Sequence, residues 1–294
     1  MIGGTGCSTT FRAFAEERPG ARWREHVGRH WPRLRPEIAD DLLAVSWRAA
    51  VLDFELPHLA PIYADLAEES GVRDRVFAAY LTHVDLPLAV VSGRQATAGR
   101  ALVRNLELGL DRYESTLWLS RFGSRRVLGT TSGLWGLLDG MNEDGLAVSL
   151  TSGGTLRHDL GLSGPLLVRH LLEHCATVAD VDQAMRGWRT STTHDLAVLD
   201  AGNNRAAYRV APRTPTRRGL TQHWDSTAEG LAAMLRPPRF RTDYATGSGT
   251  LHTAVYRPAE GTATFLWPDG SRTWGFGDFE PAEIAIEYRQ RQHW

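Results

Sequence analysis

The chain of 294 residues carries 33 basic against 34 acidic side chains, for a net charge of -1, and no long basic run of the kind that neutralises phosphates, so nucleic acid is not an expected partner. Hydrophobic residues at 42% and charged residues at 23% supply enough material for a packed core and speak against disorder, while length alone allows one domain or two. No stretch approaches the roughly 20 apolar residues of a membrane helix, and Met1–Gly6 lacks the basic and apolar regions of an export signal, so no membrane partner and a cytoplasmic location are expected.

From Arg22 to about Ala79 the pattern is helical, with Trp23, Val27, Trp31 and Leu34 at spacings of four, four and three and a second periodic run from Leu42 to Leu52. Pro57 and Pro61 interrupt it, and Gly71 ends the next helix. After Leu86 the character changes. Val90 and Val91, Ala101–Leu108 and Thr116–Phe122 are short runs between turns, as strands are, and Gly145–Thr151 reads as a buried strand entered through the turn Asp139–Asp144.

Pro165 opens a helix through about Cys175, and Thr177 with Asp180 forms a capping box for another ending at Gly187. Leu196–Leu199 and Arg205–Val210 form one hairpin, Thr250–Arg257 and Thr262–Trp267 a second. The prolines and arginines between Pro212 and Arg218 predict a surface loop. Cys7 and Cys175 form no CxxC pair, so a thiolate metal site and a structural disulfide are not expected. No metal and no cofactor are assigned. Helices, hairpins, paired helices and more hairpins suit an α+β protein with helices packed on stacked antiparallel sheets.

Five blocks carry a resemblance: Thr10–Ala15, Ala101–Glu107, Leu134–Ser149, Leu171–Val178 and Gly249–Pro258. In order and spacing they are similar to the isopenicillin N acyltransferase family, a branch of the N-terminal-nucleophile hydrolases that also resembles the choloylglycine hydrolases. The resemblance implies a four-layer αββα fold over residues 86–294, with 1–85 as an N-terminal helical segment packed on it. It also implies a precursor that cuts itself before a Cys, whose thiol becomes the nucleophile and whose new α-amine, with a reference pKa of about 7.7–8.0, serves as base. The substrate class implied is a small acylated molecule cleaved or exchanged at a non-peptide C–N bond.

Site residues follow from the same resemblance. In the relatives an Arg-Asn-x-Asp strand supplies an Arg that stabilises the thiolate and an Asp that orients the amine; here it reads Arg104-Asn105-Leu106-Glu107. Asn142 matches an Asn that binds the oxyanion, a donor worth about 3 kcal/mol in a dry site. Gln222-His223 stands where the relatives carry Asn-His, so Gln222 is the second oxyanion candidate. Arg94, Asn105, Trp135 and His223 are assigned to substrate binding. Two structural readings stay open beside these: a turn cap for Asn142, and a cross-strand ion pair for Arg104 and Glu107.

The nucleophile itself departs from the pattern. Where the family has a Gly-Cys-Ser-Gln-Ala-like stretch this chain has Ser92-Gly93-Arg94-Gln95-Ala96, which places Gly93 at the sulfur. Cys7, in Gly6-Cys7-Ser8, precedes a block that already matches the family's early segment, and Cys175 falls inside a helix as a small hydrophobe. A one-residue slip makes Ser92 the nucleophile after cleavage between Val91 and Ser92. The sequence thus leaves three readings: an amide hydrolase or acyltransferase using Ser92; an unprocessed protein kept for small-molecule binding, another acid–base reaction or a partner role; and an interaction module without chemistry, in which His223, His252 and the tryptophans are core or surface features. A homodimer also stays open.

Overall fold

The computed structural model describes residues 7–38, 42–86, 91–154, 159–186 and 188–289. Met1–Gly6, Val90 and Gly187, read above as lacking an export signal, as part of a strand and as a helix end, lie outside them. In the first part of the chain come β1 (Cys7–Ala15), α1 (Ala21–Leu34), α2 (Leu42–Glu55), α3 (Ala60–Glu69), α4 (Arg75–Leu81), β2 (Ser92–Ala98), β3 (Ala101–Glu107), β4 (Thr116–Ser120), β5 (Val127–Ser132), β6 (Gly136–Asn142) and β7 (Leu146–Ser152). Then follow α5 (Gly164–His174), α6 (Val178–Ala184), β8 (His194–Asp200), β9 (Arg205–Ala211), β10 (Thr214–Gly219), β11 (His223–Trp224), α7 (Thr227–Met234), β12 (Thr250–Arg257), β13 (Thr262–Trp267), β14 (Gly270–Gly275) and β15 (Ala282–Tyr288).

Side-chain alternation along the strands assigns the layers. In β4, Leu117 and Leu119 join the core between the sheets while Trp118 turns to the N-terminal helices. In β8, Ala197 and Leu199 face the second sheet, whereas Leu196 and Val198 face α5 and α6. In β3, Leu102 and Leu106 point inward, and Ala101 and Val103 pack outward on Met234 of α7. The result is a nine-stranded sheet, β10-β9-β8-β7-β6-β5-β4-β1-β15, stacked on a six-stranded one, β11-β2-β3-β12-β13-β14. With α1 to α6 outside the first sheet and α7 outside the second, these are the four layers αββα.

The helices begin where their caps predict. Ser163 accepts from Leu166 N ahead of Pro165, and Thr177 and Asp180 complete a reciprocal capping box for α6. In α1, Trp23, Val27 and Trp31 form the buried stripe, and Trp23 stacks on Trp118 at 5.7 Å between ring centroids.

Two segments depart from expectation. Cys7–Ala15 is a strand inside the nine-stranded sheet, antiparallel to β15 and parallel to β4, so a boundary at residue 85 runs through that sheet. The expected loop at Pro212–Arg218 is instead mostly β10, paired with β9 around a register shift between Thr214 and Arg217. An edge strand tolerates Pro215 there, because a proline at a bulge on the rim forfeits no interior ladder bond.

Candidate active site

β2 and β3 pair antiparallel with Ser92 opposite Glu107, Gly93 opposite Leu106, Arg94 opposite Asn105 and Gln95 opposite Arg104. Alternation therefore divides the predicted residues between two faces. Arg104, with Gln95 opposite it, looks into the space between the sheets. Ser92, Arg94, Asn105 and Glu107 lie on the face toward α7.

On the inner face Arg104 is fully buried and already committed. Its Nη1 donates to Asp139 Oδ2 and its Nη2 to Leu150 O at 2.7 Å. Asp139 also accepts from Thr130 Oγ1 at 2.6 Å and from the Tyr256 hydroxyl at 2.5 Å. Burial pushes the Asp139 carboxyl up, but the charges of Arg104 and His252 and these hydrogen bonds outweigh it and hold the pKa below the ordinary value. Beside this pair, Gln95 Nε2 donates to Asp195 O at 2.9 Å, Ser149 Oγ donates to Gln95 Oε1 at 2.7 Å, and Ser152 N donates to Val91 O at 2.7 Å. These bonds fasten β7 and β8 to the first residues of β2.

Gly93 adopts φ +130, and a Cβ built on it lands 1.9 Å from Asn105 O on the neighbouring strand. Real Cβ contacts essentially never fall under 3.0 Å. The position that matches the family's sulfur therefore has no room for a side chain of any kind. Ser92 is exposed, and its hydroxyl donates to Glu107 O at 3.3 Å.

On the face toward α7 a charged group assembles around Glu107. Arg241 Nη1 lies 3.8 Å from Glu107 Oε2 and Arg241 Nη2 lies 3.5 Å from Asp243 Oδ2. Burial raises the Glu107 pKa, outweighing the opposing pull of Arg241, Arg94 and Arg104. Arg241 and Asp243 also line a cavity of about 890 Å³ whose apolar wall includes Leu235, Pro237, Phe240, Tyr244 and Trp267. A volume of that size with apolar walls and a few charged groups has the character of a small-molecule pocket.

A carboxyl whose pKa is raised in the folded state opposes folding once ionised. Its contribution is best below the unfolded value of 4.5 and is lost as pH rises through the folded one. Wild type is therefore expected to lose more unfolding free energy than Glu107→Gln between pH 4.5 and pH 7 in urea titrations. Parallel pH profiles would contradict the buried placement of this carboxyl.

The other predicted residues lie elsewhere. Asn142 turns toward α5: its Nδ2 donates to Leu172 O at 2.8 Å and Cys175 O at 2.6 Å, and its Oδ1 accepts from Leu146 N at 2.9 Å. All three bonds hold the end of α5 and the β6–β7 turn, the capping reading, because the strand's alternation turns this side chain away from the β2 sheet. Asn105 donates to Met234 O at 2.8 Å and Arg239 O at 2.9 Å and accepts from Thr253 Oγ1 at 2.8 Å, anchoring the segment after α7 rather than facing a ligand.

Gln222 is exposed, and its carbonyl accepts from Thr97 N at 2.8 Å. His223 bonds Thr97 Oγ1 at 3.0 Å. Five residues of strand separate Thr97 from Ser92, about 16 Å, so Gln222 and His223 sit at the other end of β2. Trp135 is buried under the N-terminal helices with Nε1 bonded to Leu81 O at 2.8 Å. Of the predicted set, Ser92, Arg94 and Glu107 come together, with Arg104 behind them on the opposite face.

Sequence reasoning missed Asp139, Tyr256, Gln95 and Arg241. Asp139 carried a signal, as a lone carboxylate in the apolar strand Gly136-Leu-Leu-Asp-Gly-Met, since such a group is kept buried only when paired. Arg241 carried none.

No curated protein sequence matches the chain. Among solved structures, a mutant of conjugated bile acid hydrolase from Clostridium perfringens is similar at 9% identity and TM-score 0.44, over 66% of this chain and 96% of that one. Penicillin V acylase from Agrobacterium tumefaciens follows at 14% and 0.36, over 66% and 76%. The Caenorhabditis elegans ortholog of N-acylethanolamine-hydrolyzing acid amidase stands at 15% and 0.39, over 62% and 98%. Residues 95–230 match the family model of acyl-coenzyme A:6-aminopenicillanic acid acyl-transferase, a span that begins two residues after Gly93. Over that span, just under half of the chain, the sequence is similar to that family.

Proposed function

We propose that this chain binds a small acylated amide without cutting itself and without a covalent intermediate. The observation that carries the reading is Gly93, whose backbone leaves no space for a nucleophile at the position where the relatives hold one. The family match supplies the ligand class, an acyl group on nitrogen. The cavity beside Arg241 supplies apolar walls for the acyl chain, with Arg241 and Arg94 to hold an amide carbonyl or a carboxylate and Glu107 to accept the N–H or exchange a proton with it. Arg104 is held by Asp139 and takes a structural part.

A thermal-shift series with N-acylated amines of increasing acyl length tests this. Ligands that bind only the folded protein raise Tm by mass action. The expected result is a rise that grows with chain length, weakens in Arg241→Ala and is accompanied by no release of free amine. A flat series would overturn it.

A second reading is favoured by one observation: Ser92 is exposed and lies opposite Glu107 in register, where an α-amine created by cleavage before Ser92 would meet a carboxyl. Amine release that disappears in Ser92→Ala would establish that reading and defeat the first.

A further inference from the structure

Three histidines converge on the outer helical layer, away from the site described above. His170 and His174 lie one turn apart on α5, so both project from one face of that helix. His58 comes from the one-turn helix Pro57–Leu59 that precedes α3, 112 residues from His170 in the chain. His58 Nε2 and His170 Nδ1 are 3.0 Å apart, and one nitrogen from each of the three rings lies within 4.8 Å of the others. The rings of His58 and His174 meet edge to face at 4.3 Å, and His170 is fixed in plane by stacking on Trp188 at 4.8 Å and 23°.

We propose that His58, His170 and His174 form a site for one divalent transition cation of the zinc class. Zinc–imidazole bonds of about 2.0–2.1 Å at tetrahedral angles place ligand nitrogens about 3.3 Å apart, so the His58–His170 pair needs to open by only a few tenths of an ångström. A rotation of the exposed His174 ring closes the third bond. Among the described residues no Asp or Glu joins the cluster, and three imidazoles select zinc, copper or nickel over magnesium and calcium, which require oxygen ligands.

Three protein ligands leave a fourth position, which the exposure of His58 and His174 opens to water. Because His58 belongs to the N-terminal helical segment and the other two to α5, the bound ion cross-links positions 112 residues apart in the chain. This inference is independent of the ligand reading at Glu107.

The test uses untagged full chain freed of metal by a chelator and titrated calorimetrically with ZnCl2, with MgCl2 as control. The expected result is one equivalent of Zn2+ bound with a rise in Tm, no response to Mg2+, and tetrahedral d–d bands when Co2+ is used instead. His58→Gln and His174→Gln should each weaken Zn2+ binding at least tenfold while leaving the metal-free Tm near wild type, since both side chains are exposed. Absence of stoichiometric binding, or binding unchanged in both variants, would overturn the site.

Discussion

Asp139→Ala is expected to lower the unfolding free energy by about 3–5 kcal/mol, the cost of removing one partner from a buried ion pair. Arg104 has no exposed surface, so without the carboxylate its charge keeps only the Leu150 carbonyl, and the hydroxyls of Thr130 and Tyr256 lose the acceptor they share. Domains of ordinary stability hold about 5–15 kcal/mol in all, so the variant should melt at markedly lower urea, read by circular dichroism. A double-mutant cycle with Arg104→Met separates the pair from its neighbours: the double variant should be much less destabilised than the sum of the two singles. A loss under about 1 kcal/mol in Asp139→Ala, or additive singles, would show that this pair does not tie the two sheets together. The same pair bears on function, because Asp139 holds the Arg104 guanidinium on the inner face, opposite to the face that carries Ser92.

Gly93→Ala and Gly93→Cys are the second large effect. Holding a side chain at φ +130 costs about 1–3 kcal/mol in backbone strain, and the contact with Asn105 O adds an overpacking cost of similar size. Both variants should therefore be destabilised by several kcal/mol, whereas Ser92→Ala one residue earlier, exposed and weakly bonded, should stay within about 0.5 kcal/mol of wild type. Gly93→Cys is the more telling of the two. Restoring the family's residue type should not restore self-cleavage, because the thiol arrives on a backbone turned into the neighbouring strand. A stable Gly93→Cys protein that splits before residue 93 would show that the backbone relaxes readily into the active geometry of the relatives.

What could be read in the sequence was local. The stripe Trp23, Val27 and Trp31, the Ser163 and Thr177 caps and the hairpin between β8 and β9 all depend on neighbours within a few residues, and each stands as the pattern implies. β1 was invisible as a strand because its partners are Thr116–Leu119 and Ala282–Tyr288, more than 100 residues away, and its own alternation is short. β10 was hidden by Pro215, which argues against a central strand and says nothing against an edge.

The site divides in the same way. Alternation along β3 puts Arg104 on one face and Asn105 and Glu107 on the other, but only the stacking of two sheets brings Asp139 to Arg104. Asn142 has two readings in a motif match, and a residue beside a tight turn finds backbone groups to cap: its three bonds occupy both N–H groups of the amide and one lone pair of its oxygen. Likewise His170 and His174 show helical spacing in the sequence, but nothing there places His58 against them.

The central claim is that Gly93 leaves this fold without self-processing. Intact-mass measurement on the freshly purified full chain addresses it most directly: a single uncut species of 32.6 kDa is the predicted result, and two fragments divided between Val91 and Ser92 would contradict it.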